Sequence, residues 1–448
     1  MRRPARFAGV ALALGLAGAD PSSADVAPGD VITPANKEQL AGLVPEDLTP
    51  FVVEDWEGLQ MTIAAPGDYT PHAQYVEASV RHACQPSLDA QGHLVNYVAG
   101  QPFPFSEWAK QATGHRCDLT PDDPQFAQKL AWNVNHRWQG GSGFNYPQWG
   151  FSYMRNEGKE LWRLGQGEYR RTYFSHRADL PPGSAELEAG TNVEWAEFFD
   201  VKDPFDLRGT MFLLYRYTDP AQEDDTWAYI PSLRRVRRVA TTQKSDSLLG
   251  TEFTLEDFYM FSGYVLDHQW EFRGESQKLG AMNTKRSCFP RNLGGDAATR
   301  KEGMLRLGTL EEWNACKYGP YGALPFVDES WEVRSAFQLD DVPRQKGHPY
   351  SRKKIWYDKE TLWPFYAIAF DRGGKPYKIL AHIALWSEDS PNPINHDRRA
   401  VIGQSIMIVN VQNLNSHVTQ FYTANVNPFS AEESRRYYDT TRLKTKGR

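Results

Sequence analysis

Four arginines lie close together in the stretch YIPSLRRVRRV, residues 229–239. Guanidinium groups form paired hydrogen bonds with phosphate and carboxylate, so this stretch could bind an anion. Side chains alternate between the two faces of an extended strand. Arg235 and Arg237 are therefore expected on one face and Arg234 and Arg238 on the other, so that neither face carries all four charges.

Three kinds of partner can be considered for these arginines: a nucleic acid, an anionic surface, and carboxylates of the same sheet. The formal net charge of -6 argues against a nucleic-acid-binding protein, in which a strongly basic domain is expected. Two interpretations stay open. One pair of arginines could hold an anionic head group or an acidic partner at the rim of a cavity. Alternatively, the arginines could form surface ion pairs with nearby carboxylates such as Glu252, Glu256 and Asp257.

Residues that could perform catalysis are few. Glu194 and Glu197 in NVEWAEFFD could resemble the two carboxylates of a glycosidase, although chance pairs at this spacing are common. The sequence has no GxSxG, HExxH or phosphate-loop pattern. Single histidines are more often satisfied core or surface groups than ligands. We therefore predict no catalytic residue, no metal and no cofactor, and keep a secreted hydrolase as the lesser alternative. The histidines considered are His136, His176, His268 and His382.

The chain has four cysteines, Cys84, Cys117, Cys288 and Cys316. In an oxidising compartment an even number favours disulfides, and four cysteines allow three pairings that the sequence alone does not separate. Pairing of nearest neighbours, Cys84 with Cys117 and Cys288 with Cys316, closes short loops and is the pairing we expect. A zinc site is the alternative, but the sequence contains no CxxC pair.

The chain begins with a basic leader, MRRPAR, followed by an apolar run from Phe7 to Ala19. Small residues then offer cleavage sites after Ala19 and after Ala24. This pattern is typical of a secretory signal peptide, which we place at residues 1–24. No later stretch reaches the roughly 18 uncharged residues of a membrane helix. Since no cysteine lies near the cleavage sites, we expect a periplasmic protein without a lipid anchor.

The remaining chain has the pattern of a mainly β protein with some helices. Aromatic residues make up 13% of the sequence, which suits β-sheets and cavities lined by rings. Alternation of period two predicts strands within residues 168–175, 210–218, 353–386, 404–411 and 418–424. The sequence therefore predicts a large antiparallel sheet with a few helices laid against it.

Helices have clear start signals at a few places. Proline directly after threonine marks helix starts at Pro34, Pro71 and Pro121, and Ser430 opens a capping box. No linker or internal repeat divides the chain. We therefore predict one domain over residues 25–448, with an N-terminal helical segment at about 25–140 and a C-terminal helix at about 430–440.

Several stretches resemble a known group of proteins. WAYIPSLRRVRRV (227–239) and SDSLLGTEFTLEDFYMFSGYV (245–265) are similar to the strand, turn, strand and short-helix passage of periplasmic LolA/LolB-like proteins, the lipoprotein carriers that sort outer-membrane lipoproteins. GDVITPANKEQLAGLVP (29–45), NYVAGQPFP (96–104) and KLAWNVNHRW (129–138) resemble a bacterial domain-of-unknown-function family that is grouped with those carriers. The resembling stretches span most of the mature chain.

The resemblance implies a curved antiparallel sheet, an incomplete β-barrel, whose concave apolar face is capped by helices. In the carriers this cavity holds acyl chains, and members of the family are commonly encoded beside export pumps of the resistance-nodulation-division type. This chain is about twice as long as the small carriers and has four cysteines, so their cargo does not carry over.

The alternating strands supply candidates for the wall of such a cavity. A curved sheet with one apolar face must be covered by helices or by a ligand. The candidate lining residues are Met211, Leu213, Tyr215, Tyr217, Trp227, Tyr229, Trp356, Phe365, Ile368 and Phe370.

These observations predict a periplasmic binding or carrier protein for a lipid or other hydrophobic molecule, serving outer-membrane or export-pump transport. The alternative is a periplasmic adaptor for a resistance-nodulation-division transporter that carries no cargo. A carrier should have a continuous apolar cavity under its helices, an adaptor an exposed apolar patch, and a hydrolase a cleft with convergent titratable groups.

Overall fold

The protein is built around one very large sheet. The computed structural model describes residues 26–49, 60–105, 117–180, 185–219, 222–239, 245–284, 330–426 and 429–446. In this part of the chain, fifteen strands belong to one sheet and two short strands form another. The expected signal peptide at 1–24, Cys288 and Cys316 lie outside the described residues.

The strands follow one another along the chain with few helices between them. Their bounds are β1 (Val31–Ile32), β2 (Met61–Ala64), β3 (Ser87–Leu88), β4 (Leu94–Val95), β5 (Gly143–Arg155), β6 (Glu160–Tyr173), β7 (Val193–Asp203), β8 (Met211–Tyr217), β9 (Asp225–Ile230), β10 (Arg235–Val239), β11 (His268–Gly280), β12 (Ser330–Pro343), β13 (Arg352–Asp358), β14 (Pro364–Phe370), β15 (Pro376–Trp386), β16 (Val401–Asn410) and β17 (Asn415–Asn425). Strands β3 and β4 form the small second sheet.

The large sheet is curved and open. Its long strands run in the order β11, β12, β13, β14, β15, β16, β17, β5, β6, β7, β8, β9, β10, and neighbours in this order are antiparallel. Strand β2 adds a short parallel pairing with β12, and β1 pairs with β2. Because β10 and β11 lie at opposite ends of this order, the sheet does not close into a barrel. The predicted curved antiparallel sheet is confirmed.

The pattern of buried side chains differs between strands β8 and β14. In β8, buried Met211 and Leu213 flank the partly exposed Phe212, which is the predicted alternation. In β14, every residue from Pro364 to Phe370 is buried. Strands buried on both faces read as continuous apolar runs instead of alternating ones. The part of the sheet around β14 must therefore be covered on both faces.

Four α-helices are present in the described residues: α1 (Ala73–Arg81), α2 (Phe126–Asn135), α3 (Ala431–Tyr437) and α4 (Thr440–Lys446). The side chain of Ser430 accepts a hydrogen bond from the Glu433 backbone N at 3.1 Å, so α3 begins where the capping box predicts. The C-terminal part is two short helices instead of one. The start at Pro34 gives a 3₁₀-helix, Pro34–Leu40, because Asn36 leaves helical geometry at a φ of -134°.

Cross-strand partners identify the two faces of the sheet, since directly opposite residues point the same way. His382, Ile406 and Thr419 are successive partners on β15, β16 and β17, and we call their face the inner face. The irregular segment 245–267, between β10 and β11, lies across this face and is called the crossing segment. Its Tyr259 ring lies 5.9 Å from the ring of His382.

The opposite face, called the outer face, is covered at two places. Tyr438 and Leu443, in the C-terminal helical region, join a buried cluster with Phe198 and Leu213 of β7 and β8. Near the other edge, the N-terminal region contributes an ion pair between Asp47 and Lys354 of β13. The terminal regions of the chain thus cover the outer face, and internal segments cover the inner face.

A disulfide joins Cys84, just after α1, to Cys117, which precedes α2, with their Cα atoms 5.4 Å apart. The expected nearest-neighbour pairing is confirmed for this pair. The bridge ties together the two segments that carry α1 and α2 beside the sheet.

Leu443 tests the cover of the outer face, because its side chain is fully buried between α4 and the sheet. We expect Leu443→Ala to lower the free energy of unfolding by about 2–5 kcal/mol, the usual cost of such a cavity. Lys444→Ala, at an exposed neighbouring position, should change it by less than about 0.5 kcal/mol. Urea unfolding measures both, and equal effects would contradict this packing.

Candidate functional site

An aromatic layer lies between the crossing segment and the inner face. The Phe253 ring stacks on His417 of β17 at 5.3 Å, and His417 stacks in turn on Phe151 of β5 at 5.5 Å. Phe258 stacks on Tyr169 of β6 at 5.6 Å. The crossing segment therefore presents rings to an inner face that is itself lined by rings.

The crossing segment nearly fills the space above these strands. The cavity left between them measures only about 20 Å³, little more than one water molecule needs. The continuous cavity expected of a carrier is thus occupied here by the protein's own side chains. The residues around the remaining space are Trp149, Phe151, Phe199, Leu248, Leu249, Thr251, Phe253, Phe258, His417, Thr419 and Phe421.

The backbone of the crossing segment is strained. Leu249, Tyr259 and Met260 have φ values of 55°, 52° and 63°, in the left-handed region that residues with a Cβ rarely adopt. Each such residue costs on the order of 1–3 kcal/mol and persists only where surrounding contacts enforce it. The segment is therefore held in this conformation by its contacts with the sheet.

Cations on four strands hold the backbone of the crossing segment. Arg163 of β6, Lys353 of β13, Lys378 of β15 and Arg216 of β8 donate hydrogen bonds to its carbonyl oxygens at distances of 2.6–3.0 Å. Carbonyls of a segment without regular structure need such donors when they are buried. The acceptors are the carbonyls of Leu249, Met260, Glu252, Gly263 and Ser262.

Asp257 is the centre of the same attachment. Its fully buried carboxylate accepts hydrogen bonds from Tyr350 at 3.0 Å and from Thr254 at 2.9 Å. Lys353 Nζ lies 3.4 Å and Lys378 Nζ 3.9 Å from its oxygens. One carboxylate thus compensates two buried ammonium groups that also bind the segment's carbonyls.

A second carboxylate of the crossing segment lies beside a histidine. Glu256 Oε2 is 2.6 Å from His348 Nε2. Burial alone would raise the pKa of Glu256, but the hydrogen bond and charge of His348 outweigh burial and lower the pKa. The lowered pKa keeps Glu256 ionised, which favours this contact with the sheet.

Two histidines of the inner face are held neutral. Burial lowers the pKa of His382 and of His417 to about 3. His417 contacts Thr419 Oγ1 at 2.6 Å. His382 lies between Tyr259 and Trp363, and its two ring nitrogens have no hydrogen-bond partner in the described structure. His382 is therefore a buried polar group inside an otherwise aromatic layer.

Nine of the ten predicted lining residues fall into two places, and Tyr217 lies apart from both. Met211, Leu213 and Tyr229 are buried in the cluster under the C-terminal helices, with Tyr215 and Trp227 beside it. Trp356, Phe365, Ile368 and Phe370 belong to the main core, and Tyr217 donates a hydrogen bond to Asp225 at 2.7 Å. The structure does not bring these residues together into one cavity, and a role for them in binding a ligand stays a prediction.

The four arginines lie on the edge strand β10 and its preceding turn, and all four are exposed. Arg234 has a φ of 48° and belongs to the turn, so the predicted two-by-two alternation is wrong at this residue. Arg238 forms an ion pair with Asp225. The expected surface ion pair is therefore present at Arg238, but its partner is none of the three carboxylates named from the sequence. Those carboxylates, Glu252, Glu256 and Asp257, contact Asn410, His348 and Lys353 respectively.

A separate polar site lies around Glu194 of β7. Its Oε1 lies 3.9 Å from His136 Nδ1 and 3.5 Å from Asn135 Nδ2. The Tyr97 ring lies 4.5 Å from the rings of His136 and His176. These five residues line two neighbouring cavities of about 230 Å³ and 50 Å³. Glu194, His136 and His176 were candidates only individually from the sequence, because they are distant from one another along the chain.

Electrostatics in this polar site favour neutral groups. Burial raises the pKa of Glu194 to about 7, since the nearby Arg216 only partly offsets it. Burial also lowers the pKa of His136 and His176. A carboxyl group that titrates near 7 is suited to proton transfer. The second predicted carboxylate, Glu197, instead forms an ion pair with Arg171.

The position of the crossing segment on the inner face was not predicted from the sequence. Two signals were available: the unusual density of large apolar residues in LLGTEFTLEDFYMF, 248–261, and the lysines Lys353 and Lys378 inside otherwise apolar strands. A lysine in a buried strand needs a partner, and an irregular buried segment offers carbonyl oxygens.

The open sheet with an occupied inner face defines a mainly β protein, and in the described residues no helix is long and apolar enough to cross a membrane. A family model described as protein of unknown function, DUF1329, matches residues 31–444, and the chain belongs to this family. The family-level resemblance drawn from the sequence is therefore confirmed. No curated protein matches the chain.

Two of the solved structures that are similar to this chain illustrate the level of similarity. One is a DUF1329 family protein from Desulfovibrio piger, with 15% identity, coverage of 71% of this chain and 97% of that chain, and a TM-score of 0.44. The other is a LolA superfamily protein from Nitrosomonas europaea, with 10% identity, coverage of 68% and 96%, and a TM-score of 0.35. At this level of similarity, neither determines what this chain binds.

Asp257 tests whether the crossing segment is held by the buried cations. We expect Asp257→Asn to leave Lys353 and Lys378 undercompensated and to destabilise the closed segment by about 3–5 kcal/mol. Hydrogen exchange should then accelerate in residues 248–262 more than in β14–β16. Asp246→Asn, an exposed change in the same segment, should leave exchange unchanged, and uniform acceleration in Asp257→Asn would contradict local attachment.

Glu194 predicts a pH dependence of stability. Its pKa is raised from 4.5 to about 7 on folding, so its ionisation destabilises the folded state as pH rises from about 4.5 through 7. Glu194→Gln should remove this loss and stabilise the protein at pH 8 relative to pH 5, by up to about 3 kcal/mol. Thermal unfolding at both pH values measures this, with the exposed Glu432→Gln as the control. A pH-independent effect of Glu194→Gln would exclude a raised pKa.

Proposed function

We propose that this protein binds a lipid or another hydrophobic molecule on its inner face, beneath the crossing segment, and carries it in the periplasm. The main support is the aromatic inner face, which is covered by a strained, irregular segment instead of a second sheet or a regular helix. A segment held by a few polar contacts can move away without disrupting the strands that support it.

Exchange of the segment for a ligand is energetically plausible. Burial of an acyl chain contributes about 0.8 kcal/mol per methylene, so roughly ten methylenes contribute about 8 kcal/mol. Displacing Phe253, Phe258 and Tyr259 exposes apolar area of comparable size, at roughly 1.5–3 kcal/mol for each ring. Burial of a long hydrophobic chain could therefore offset the loss of the ring layer. Release of the strained backbone would offset part of the cost of separating the segment's carbonyls and Asp257 from the cations of the sheet.

A periplasmic location is supported by the leader sequence and by the disulfide between Cys84 and Cys117, because disulfides persist in oxidising compartments. In this proposal the protein receives its cargo at one membrane and delivers it to an outer-membrane component or an export pump. The cargo class is a molecule with a long apolar part.

The adaptor alternative is favoured by a different observation. Phe205 is 85% exposed and Leu233 is 43% exposed, at the turns after β7 and β9. These turns are neighbours, because a Cβ on Gly209 would lie 3.5 Å from Pro231. Exposed Arg208 and Arg234 lie in the same turns. An acidic partner surface could contact this tip without any cargo on the inner face.

The first experiment is mass spectrometry of an organic extract from protein purified out of the periplasm without detergent. We expect a hydrophobic molecule in stoichiometric amount. An empty protein that also fails to bind added apolar probes would favour the adaptor.

A second experiment locates the site. Phe253→Ala should enlarge the cavity above the inner face and strengthen binding of a fluorescent apolar probe, N-phenyl-1-naphthylamine, by several-fold, because apolar cavities of this kind bind apolar molecules. Phe198→Ala removes an equally buried ring under the C-terminal helices and should not strengthen probe binding. Equal gains in both variants would place the site elsewhere.

A further inference from the structure

A group of buried polar atoms on the inner side of the sheet has no hydrogen-bond partner in the described structure. The atoms are Arg137 Nε, Tyr357 Oη, Trp363 Nε1 and the two ring nitrogens of His382. Buried polar atoms are normally paired, and exceptions need a specific reason. The indole and guanidinium nitrogens are donors, and the hydroxyl and neutral imidazole can each donate.

These atoms belong to side chains that lie together. The Arg137 guanidinium lies 5.0 Å from the Tyr259 ring and 5.7 Å from the Trp363 ring. The Trp363 ring lies 5.4 Å from His382. Tyr357 is the cross-strand partner of Pro364, which follows Trp363 directly, and it interacts electrostatically with Arg137. The group is therefore a continuous set of donors just beneath Tyr259 of the crossing segment.

The charge of this group is uncompensated. Arg137 is 9% exposed and donates from Nη1 to the Val134 carbonyl at 2.9 Å. Other buried arginines have carboxylates, as Arg171 has Glu197 and Arg216 has Asp224, but among the described residues Arg137 has no such ion pair. Arginine stays protonated even when buried, so this position holds a positive charge that an anion would stabilise.

We propose that Arg137, Tyr357, Trp363 and His382 bind the anionic head, a carboxylate or phosphate, of an amphiphile whose chain lies under the crossing segment. This inference rests on the proposed function and adds the chemical class of the cargo. The guanidinium offers paired donors that match either head group. Arg137 also borders the 50 Å³ cavity described above, so there is space next to it for a small group.

The arrangement explains why the donors are unpaired while the crossing segment is closed. Tyr259 lies against Arg137, Trp363 and His382 at once, with its backbone at a φ of 52°. Movement of this residue with the crossing segment would uncover the donors and the apolar strands together. Head and chain sites would therefore open in one step.

The experiment compares three probes of equal chain length, below their critical micelle concentrations: dodecanoate, dodecyl phosphate and dodecan-1-ol. Isothermal titration calorimetry is carried out with wild type, Arg137→Met and Tyr357→Phe. Arg372→Met, at an exposed arginine in the turn between β14 and β15, is the control with the same change in net charge. We expect wild type and Arg372→Met to bind at least one anionic probe about tenfold more tightly than the alcohol.

In Arg137→Met this preference should disappear while the alcohol still binds, and Tyr357→Phe should reduce it in part. Because Arg137 has no carboxylate partner among the described residues, Arg137→Met should unfold at the same temperature as wild type or higher when no ligand is present. Which anion binds more tightly distinguishes a carboxylate from a phosphate head group. Equal binding of anions and alcohol by wild type, or a preference that survives in Arg137→Met, would overturn the head-group site alone. Failure of all three probes to bind wild type would overturn the proposed function itself.

Discussion

The rest of the structure depends on one constraint: a segment without regular structure is buried against the sheet, and its backbone polar groups must find hydrogen-bond partners there. Residues 245–267 cross the inner face without a strand partner of their own, so their carbonyl oxygens need donors from elsewhere. Long cationic side chains on the strands meet this need, among them Lys353, Lys378 and Arg216. Each of these cations also contacts a carboxylate, which keeps the buried charge balanced. The sheet is thus a scaffold whose side chains hold the irregular segment in place.

Much of the scaffold could be predicted from sequence. The alternation in β8 and the glycine-containing turn after Phe370 predict where strands lie, because both are patterns that extend over only a few residues. Ser430 marks a helix start for the same local reason. Arg234 shows the limit of this reasoning, because a left-handed residue at the end of the Pro231 turn shifts the strand start by one residue.

The candidate site could be predicted only in part. A period of two shows that successive side chains point to opposite faces of the sheet, but it does not show which of the two faces becomes the inner one. Met211 and Leu213 are as apolar as a cavity wall requires, yet they face the C-terminal helices. His417 looks like an isolated histidine in sequence but stacks between two phenylalanines on the inner face. Which face a covering segment occupies is decided by contacts between residues more than 90 positions apart, such as Asp257 with Tyr350 and Phe253 with His417. No local pattern contains that information.

Strain and unpaired donors have a common physical origin in this fold. The closed crossing segment keeps Tyr259 in an unfavourable backbone conformation and leaves the donor of Trp363 unsatisfied, while its rings shield the inner face from water. Both costs are tolerated because the ring layer buries a large apolar area. A ligand that supplied the same apolar area together with hydrogen-bond acceptors would relieve both costs at once. The crossing segment therefore covers the inner face stably, but a suitable ligand would satisfy that face better than the segment does. A reversible carrier needs this difference, because it lets the ligand displace the segment.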